Sequence, residues 1–246
     1  MASLDVSIKQ VLELQRKSKK PLAVVLAGHN GSGKSTMWYR HLAPSLRMPL
    51  VNADRMMMSI LPEVGDPLDL PPWASKLRDN DTSWMAVAQL GVHAFVAHAM
   101  AQRVPFAMET VFSHWQPQPD GTVESKIQMI MDMKNAGYFV LLIFVGLTDS
   151  SLSVARVSTR VEVGGHSVPV AKLTERFPRT QKAINAALNV ADIAILTDNS
   201  RDLEHAFTVC RVQQSDQEIY DLRGGRRRTP PEILRWLDKV SPRQPL

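Results

Sequence analysis

The run Gly28-His29-Asn30-Gly31-Ser32-Gly33-Lys34-Ser35 constrains this chain more than any other feature. It follows an apolar, β-branched stretch at residues 22–27 and leads into Thr36-Met37-Trp38-Tyr39-Arg40, so it reads as the turn between a buried strand and a helix. In a G-x-x-x-x-G-K-S run the glycines let backbone N–H groups turn inward around phosphate oxygens. The lysine reaches the β- and γ-phosphates and the serine hydroxyl sits on Mg²⁺. The following helix adds its positive N-terminal end, and Pro44 is expected to stop it. Gly28, His29, Asn30, Gly31, Ser32, Gly33, Lys34, Ser35 and Thr36 are therefore expected to surround a nucleoside polyphosphate.

The rest of the chain supplies the frame such a turn needs. Apolar strand candidates at 22–27, 50–52, 106–109, 138–145 and 193–197 alternate with helical stretches at 34–42, 55–61, 81–103, 124–135, 150–163 and 170–189. Buried strands alternating with helices predict an α/β fold, a mainly parallel sheet of five or six strands covered on both faces, with ligands at the carboxyl ends of the strands. Residues 62–80, rich in proline, read as a long surface excursion beside that edge, and the 81–103 helix as a core element buried through Trp84, Val87, Leu90, Ala94, Phe95 and Ala97. Beyond Gln213 the chain turns polar and is expected to wrap the surface, ending in a short helix at 230–238.

At 246 residues the chain can bury one substantial core, so the expectation is a single domain at 21–212 with an inserted lid at about 149–180. An amphipathic helix at 1–20 would precede it and the polar segment 213–246 would follow. The longest apolar run, 139–147, is too short to cross a bilayer, and residues 1–20 lack the pattern of a signal peptide. The lone Cys210 makes no internal disulfide and fits a reducing cytoplasm. The net charge of +5 is concentrated in Arg223, Arg226, Arg227 and Arg228; with that run set aside the chain is close to neutral, which argues against nucleic acid as a partner.

A phosphate loop alone does not separate ATPases, GTPases and small-molecule kinases, so other positions must decide. Asn52-Ala53-Asp54 closes the second strand and sets the Asp54 carboxylate at the carboxyl edge, where it can accept the proton of an attacking hydroxyl or hold Mg²⁺ through water; it can equally cap the helix that follows. Glu109-Thr110 closes the third strand in the same way, holding metal water or substrate hydroxyls, with Ser113 and His114 close behind. A helix carrying Arg156 and Arg160, a Gly164-Gly165 break, Pro169 and a second helix carrying Arg176 and Arg179 form a unit able to close over a nucleotide and bring guanidinium groups to a transferring phosphoryl.

Taken together, these pieces resemble the zeta toxin family of P-loop kinases: the loop 27–36, Asn52-Ala53-Asp54, Glu109-Thr110 with Ser113, Arg160 with Gly164-Gly165-His166 and Val168-Pro169, and Asp198-Asn199-Ser200, all in the family's order. The resemblance implies a three-layer P-loop kinase fold with a helical lid. It implies ATP and Mg²⁺ as cofactors and phosphorylation of a sugar hydroxyl of a nucleotide sugar, UDP-N-acetylglucosamine, with an antitoxin protein as partner. On this resemblance Asp54 is the general base, Lys34 and Ser35 contact ATP and Mg²⁺, and Asn52, Glu109, Thr110 and Ser113 face the substrate. Arg160 and Arg176 clamp the phosphoryl group, with Arg156 and Arg179 as alternates, and Asp198 and Asn199 lie near the adenine. The excursion at 62–80 is where acceptor recognition departs most from the family, and other hydroxyls, including those of dinucleotides, stay open.

Overall fold

The computed structural model describes residues 3–66, 69–165, 167–225 and 228–243. Its strands are, in chain order, β1 (Leu22–Gly28), β2 (Leu50–Val51), β3 (Phe106–Thr110), β4 (Trp115–Pro117), β5 (Val123–Ser125), β6 (Phe139–Gly146), β7 (Ile193–Asp198), β8 (Thr208–Gln214) and β9 (Gln217–Asp221). Seven of them form one sheet in the order β2-β3-β1-β6-β7-β8-β9, while β4 and β5 make a separate antiparallel hairpin. β2, β3, β1, β6 and β7 are mutually parallel, and β8 and β9 add an antiparallel edge. The helices are α1 (Leu4–Ser18), α2 (Lys34–Met37), α3 (Ala43–Leu46), α4 (Ala53–Ser59), α5 (Pro72–Asn80), α6 (Thr82–Ala101), α7 (Ile127–Asn135), α8 (Ser150–Glu162), α9 (Val170–Ala187) and α10 (Pro231–Val240).

Because β1 and β6 are apolar along their whole length, alternate residues can feed two cores, one on each face. Ala23, Val25, Ala27, Val140, Leu142 and Phe144 pack on one side with residues of α6, α7, α9 and α10. Leu22, Val24, Leu26, Leu141, Ile143 and Val145 pack on the other with Leu4, Ile8 and Val11 of α1 and Met37, Trp38 and Leu42. The amphipathic N-terminal stretch is thus a core-covering helix, capped by the Ser3 hydroxyl, which accepts from the Val6 amide at 3.2 Å.

Several expectations need correction. Pro44 does not stop the helix after the loop: a π-helical turn over Trp38–Leu42 shifts the backbone register, so Pro44 falls at the start of α3, where its missing N–H costs no hydrogen bond. The excursion at 62–80 contains α5, and Leu61, Leu70 and Ala74 form a small cluster of their own against Trp84. In α6 the buried face is Ala88, Val92, Val96 and Ala99, whereas Val87 and Leu90 are 57% and 67% exposed. A helix apolar all round carries no periodic signal, and the smaller residues went inward where the α4 chain crosses closely at Gly91 and Met56. By length and composition α6 is also apolar enough to cross a membrane.

The segment beyond Gln213 does not wrap the surface either. It completes the β8–β9 pair and returns as α10, whose Ile233, Trp236, Leu237 and Val240 are buried in the core. Arg223 anchors this return, donating to the Asp221 carboxylate at 2.6 Å, to Asp238 at 2.7 Å and to the Ser241 carbonyl at 3.0 Å. Of the basic run, Arg226 and Arg227 lie outside the described residues, as does His166 of the Gly164-Gly165-His166 stretch.

Candidate functional site

Parallel pairing brings the carboxyl ends of β1, β2 and β3 side by side, with Leu26 opposite Glu109, Ala27 opposite Thr110 and Val51 opposite Met108. The 28–35 loop leaves β1 at this edge and enters α2. Gly33 sits at φ +90, a conformation that side chains rarely adopt, and a Cβ there would come within 2.6 Å of the Asn199 amide. Asn199 holds the loop in turn, its side-chain amide donating to the Ser32 carbonyl at 2.8 Å while its backbone amide donates to Gly146 at 3.0 Å. From the other side, the Ser153 hydroxyl of α8 donates to the Asn30 carbonyl at 2.7 Å. The loop is thus clamped from the end of β7 and from α8.

Lys34 is buried at the first position of α2, and its ammonium donates to the carbonyls of Gly28 at 3.1 Å and His29 at 2.9 Å. Burial pulls it below the usual lysine range. The Glu109 carboxylate, 3.9 Å away, and then Asp54 pull it back up, while Arg160 pushes it down again. Glu109, Asp54 and Arg160 each lie within electrostatic reach of the Lys34 ammonium. The Ser35 hydroxyl lies 3.1 and 3.0 Å from the two carboxylate oxygens of Glu109. Hydroxyl plus carboxylate is an all-oxygen donor pair suited to Mg²⁺. Since no group of three or more His, Cys, Asp or Glu gathers among the described residues, such an ion would complete its shell with phosphate oxygens and water.

Asn52, not Asp54, caps α4: its side-chain oxygen accepts from the Arg55 amide at 3.3 Å. Asp54 therefore stands exposed in the first turn with no hydrogen bond or ion pair among the described residues. Of the arginines on α8 and α9, Arg156 packs beside Gly31, Arg160 lies against Gly165 and its charge is felt at Lys34, Arg176 is half-buried on α9, and Arg179 pairs with Glu175 on its own helix at 3.3 Å. Thr36 is exposed on α2 and Ser113 half-buried between β3 and β4. His114 lies 3.1 Å from Glu124 across the hairpin. Asp198 is fully buried, accepting from the Ser200 amide at 3.0 Å and from Arg201 at 3.3 Å. It shapes the β7 exit, and only its neighbour Asn199 reaches the loop.

Sequence reasoning passed over Lys126 and Arg78, and it set His29 only among the residues around the phosphates. Lys126 donates to the Thr110 hydroxyl from the position just before α7, a place read as part of the 124–135 helix. Arg78 of α5 is buried and donates to the Gly164 carbonyl at 2.9 Å, so the excursion is fastened to the turn after α8. His29 is buried, stacked on Phe177 of α9 with ring centroids 3.9 Å apart and edge-on to Phe144.

Burial, helped by the Lys34 charge, lowers the His29 imidazole from 6.5 to about 3. The unfolded chain thus binds a proton in the window from 6.5 down to 3 that the folded chain refuses. The stability linked to this neutral ring is present above 6.5 and is lost as pH falls through the window. Urea unfolding between pH 7 and 4 is expected to lose up to about 1.4 kcal/mol per pH unit more in the wild type than in His29→Leu; parallel pH profiles would contradict a neutral buried imidazole.

The zeta toxin family model matches residues 7–224. An uncharacterized protein of Haemophilus influenzae is 29% identical over 146 residues, which cover 59% of this chain and 85% of that protein. Among solved structures, that of the PezAT chromosomal toxin-antitoxin system of Streptococcus pneumoniae aligns with a TM-score of 0.53 at 14% identity, covering 99% of this chain and 91% of its own. The AvrRxo1-ORF1:AvrRxo1-ORF2 complex with ATP aligns with a TM-score of 0.57 at 13% identity, covering 97% and 70%. At such identities the likeness is one of fold.

Proposed function

The chain belongs to the zeta toxin family, and from that premise we propose that it is an ATP-dependent kinase transferring the γ-phosphoryl group to a hydroxyl of a nucleotide sugar of the UDP-N-acetylglucosamine type. The observation that carries the reading is the meeting, at one strand edge, of the Ser35–Glu109 pair, the buried Lys34 and the unpartnered Asp54 carboxylate, with Arg160 in reach. A nucleotide-binding module without turnover would have no use for an exposed carboxylate held opposite a phosphate loop.

In this reading the loop amides and Lys34 hold the donor phosphates, and Asp54 orients the acceptor hydroxyl and takes its proton as the new O–P bond forms. Arg160 and Arg176, on the two limbs of the lid, answer the charge that develops on the transferring group. Ser35 and Glu109 would hold Mg²⁺, which when bound offsets negative charge on the phosphates. Glu109, assigned to the substrate by the family resemblance, thereby takes the metal side. Glu109→Gln is expected to raise the Mg²⁺ concentration for half-maximal activity by about tenfold with a smaller change in acceptor KM. An unchanged Mg²⁺ requirement with a raised acceptor KM would return Glu109 to the substrate.

The solved PezAT structure belongs to a toxin-antitoxin system, and we extend that pairing to this chain: an antitoxin would silence the site. Metabolite profiling of cells expressing the wild type against Lys34→Ala tests the reading in vivo. The expected result is a phosphorylated nucleotide sugar present only with the wild type, accompanied by growth arrest. Identical nucleotide-sugar pools in the two would contradict it.

A further inference from the structure

Helix α6 turns an apolar face outward as well as inward. Its core side is Ala88, Val92, Val96 and Ala99. Directly opposite, on a helix of 3.6 residues per turn, run Ser83, Val87, Leu90, Ala94, Ala97 and Ala101, all of them exposed. Their spacing of four, three, four, three and four is an unbroken heptad pattern along the helix, and only Ser83 among them is polar. An outward helix face is ordinarily where charge collects, yet residues 82–101 contain no Asp, Glu, Lys or Arg. Val87 and Leu90 are more than half exposed, so no described part of the chain covers them.

The face is graded in size. Val87 and Leu90 project from its first half, while Ala94, Ala97 and Ala101 leave a low strip along its second. Two copies laid antiparallel about a two-fold axis turn that gradient into a fit, with Leu90 on the partner's Ala94 and Val87 on the partner's Ala97. Each layer then pairs a large side chain with a small one. A parallel pairing would set Leu90 on Leu90 and alanine on alanine, crowding one end and leaving a gap at the other.

The charges at the two ends of α6 favour the same arrangement. Asp81 opens the helix, where one oxygen of its carboxylate accepts from the Ser83 and Trp84 amides at 2.8 and 3.0 Å, and Arg103 stands exposed just past the last helical residue. Neither forms an ion pair with another described residue. With Leu90 set on the partner's Ala94, the Asp81 end of each copy meets the Arg103 end of the other, whereas parallel helices would bring like charges together. A bilayer matches this face less well. Three of its five apolar residues are alanine, and the helix offers no basic residue to lipid headgroups.

We infer that the outer face of α6 is an interaction surface for a second copy of this chain, packed antiparallel about a two-fold axis. The surface is independent of the phosphoryl-transfer reading, which needs no second copy.

Sedimentation velocity of the full chain from about 1 to 200 μM tests it, since a contact built on one helix pair belongs at the weak end of protein interfaces. The wild type is expected to pass from monomer to dimer across this range. Leu90→Glu and Ala94→Glu should each weaken dimerisation by about tenfold or more. Both positions are exposed in the single chain, so thermal unfolding of the dilute variants should match that of the dilute wild type. Oxidative cross-linking reads the orientation: Val87→Cys mixed with Ala97→Cys should give a disulfide-linked dimer, and neither alone should. Cys210 is buried, and like positions ten residues from their antiparallel counterparts stand about 15 Å apart. The inference is overturned if the wild type stays monomeric throughout, if both Glu variants dimerise as the wild type does, or if Val87→Cys cross-links with itself. A monomer that binds phosphatidylcholine–phosphatidylglycerol vesicles and loses them on Leu90→Glu would assign the face to a membrane and overturn it as well.

Discussion

Replacing Asp54 with Asn is expected to lower the rate of phosphoryl transfer by about 10²–10⁴-fold, with ATP affinity within about threefold of the wild type. The size follows from where Asp54 stands. It is exposed in the first turn of α4, has no partner among the described residues, and the capping of that helix belongs to Asn52, so its removal costs the fold little. On the proposed mechanism, what is lost is the group that receives the hydroxyl proton. Lys34→Ala should also cost on the order of 10²–10³-fold, but by a different route. Lys34 bonds to the Gly28 and His29 carbonyls and balances Glu109 and Asp54, so ATP affinity is expected to fall with the rate. Steady-state kinetics beside calorimetric ATP-analogue binding distinguish the two variants. Near wild-type turnover in Asp54→Asn would remove it from the role of base.

The largest effect on stability is expected at Trp236. Its side chain is 1% exposed, its ring is stacked on Phe144 with centroids 6.1 Å apart, and it presses so closely on β6 that a Cβ at Gly146 would lie 2.0 Å from its ring. Trp236→Ala should therefore cost about 3–5 kcal/mol in urea or thermal unfolding, since the cavity lies between a helix and a central strand. Gly146→Ala should also destabilise, by overpacking the same contact. Because the Gly146 carbonyl accepts the Asn199 amide, whose side chain holds Ser32, the damage reaches the phosphate loop through two hydrogen bonds. A loss under about 1 kcal/mol for Trp236→Ala would mean that α10 docks far more loosely than its burial indicates.

What could be read from the chain beforehand was what repeats or what has a fixed spacing. The five parallel strands and the loop were legible because β1 and β6 are apolar throughout and the G-x-x-x-x-G-K-S run has one physical use. Glu109 was legible as an acid ending a strand; Asp54 was read the same way, but β2 stops at Val51 and Asp54 lies in the first turn of α4. The β4–β5 hairpin was not: its strands have three residues each and one contains Pro117, although the turn at Asp120 and Gly121, with Gly121 at φ +82, was a usable signal. With the hairpin missed, Lys126 was read only as part of the 124–135 helix, which in the structure starts at Ile127. The edge pair β8–β9 was hidden by polar side chains on its exposed strand, where Gln217, Glu218 and Ile219 face solvent. Asn199 was named for the adenine, yet no local pattern could announce that its amide reaches Ser32, 167 positions earlier in the chain. Nor does spacing report the Arg78 contact to Gly164, which joins two segments only the folded chain brings together.

The most direct measurement is transfer of label from γ-labelled ATP by the purified wild type and Asp54→Asn, across a panel of UDP-sugars, dinucleotides and water. The expected result is label on a hydroxyl of UDP-N-acetylglucosamine or a close UDP-sugar with the wild type, reduced by about 10²-fold or more with Asp54→Asn. Label appearing only as free phosphate, or transferred equally well by both proteins, would contradict the assignment of this cleft as a kinase site built around Asp54.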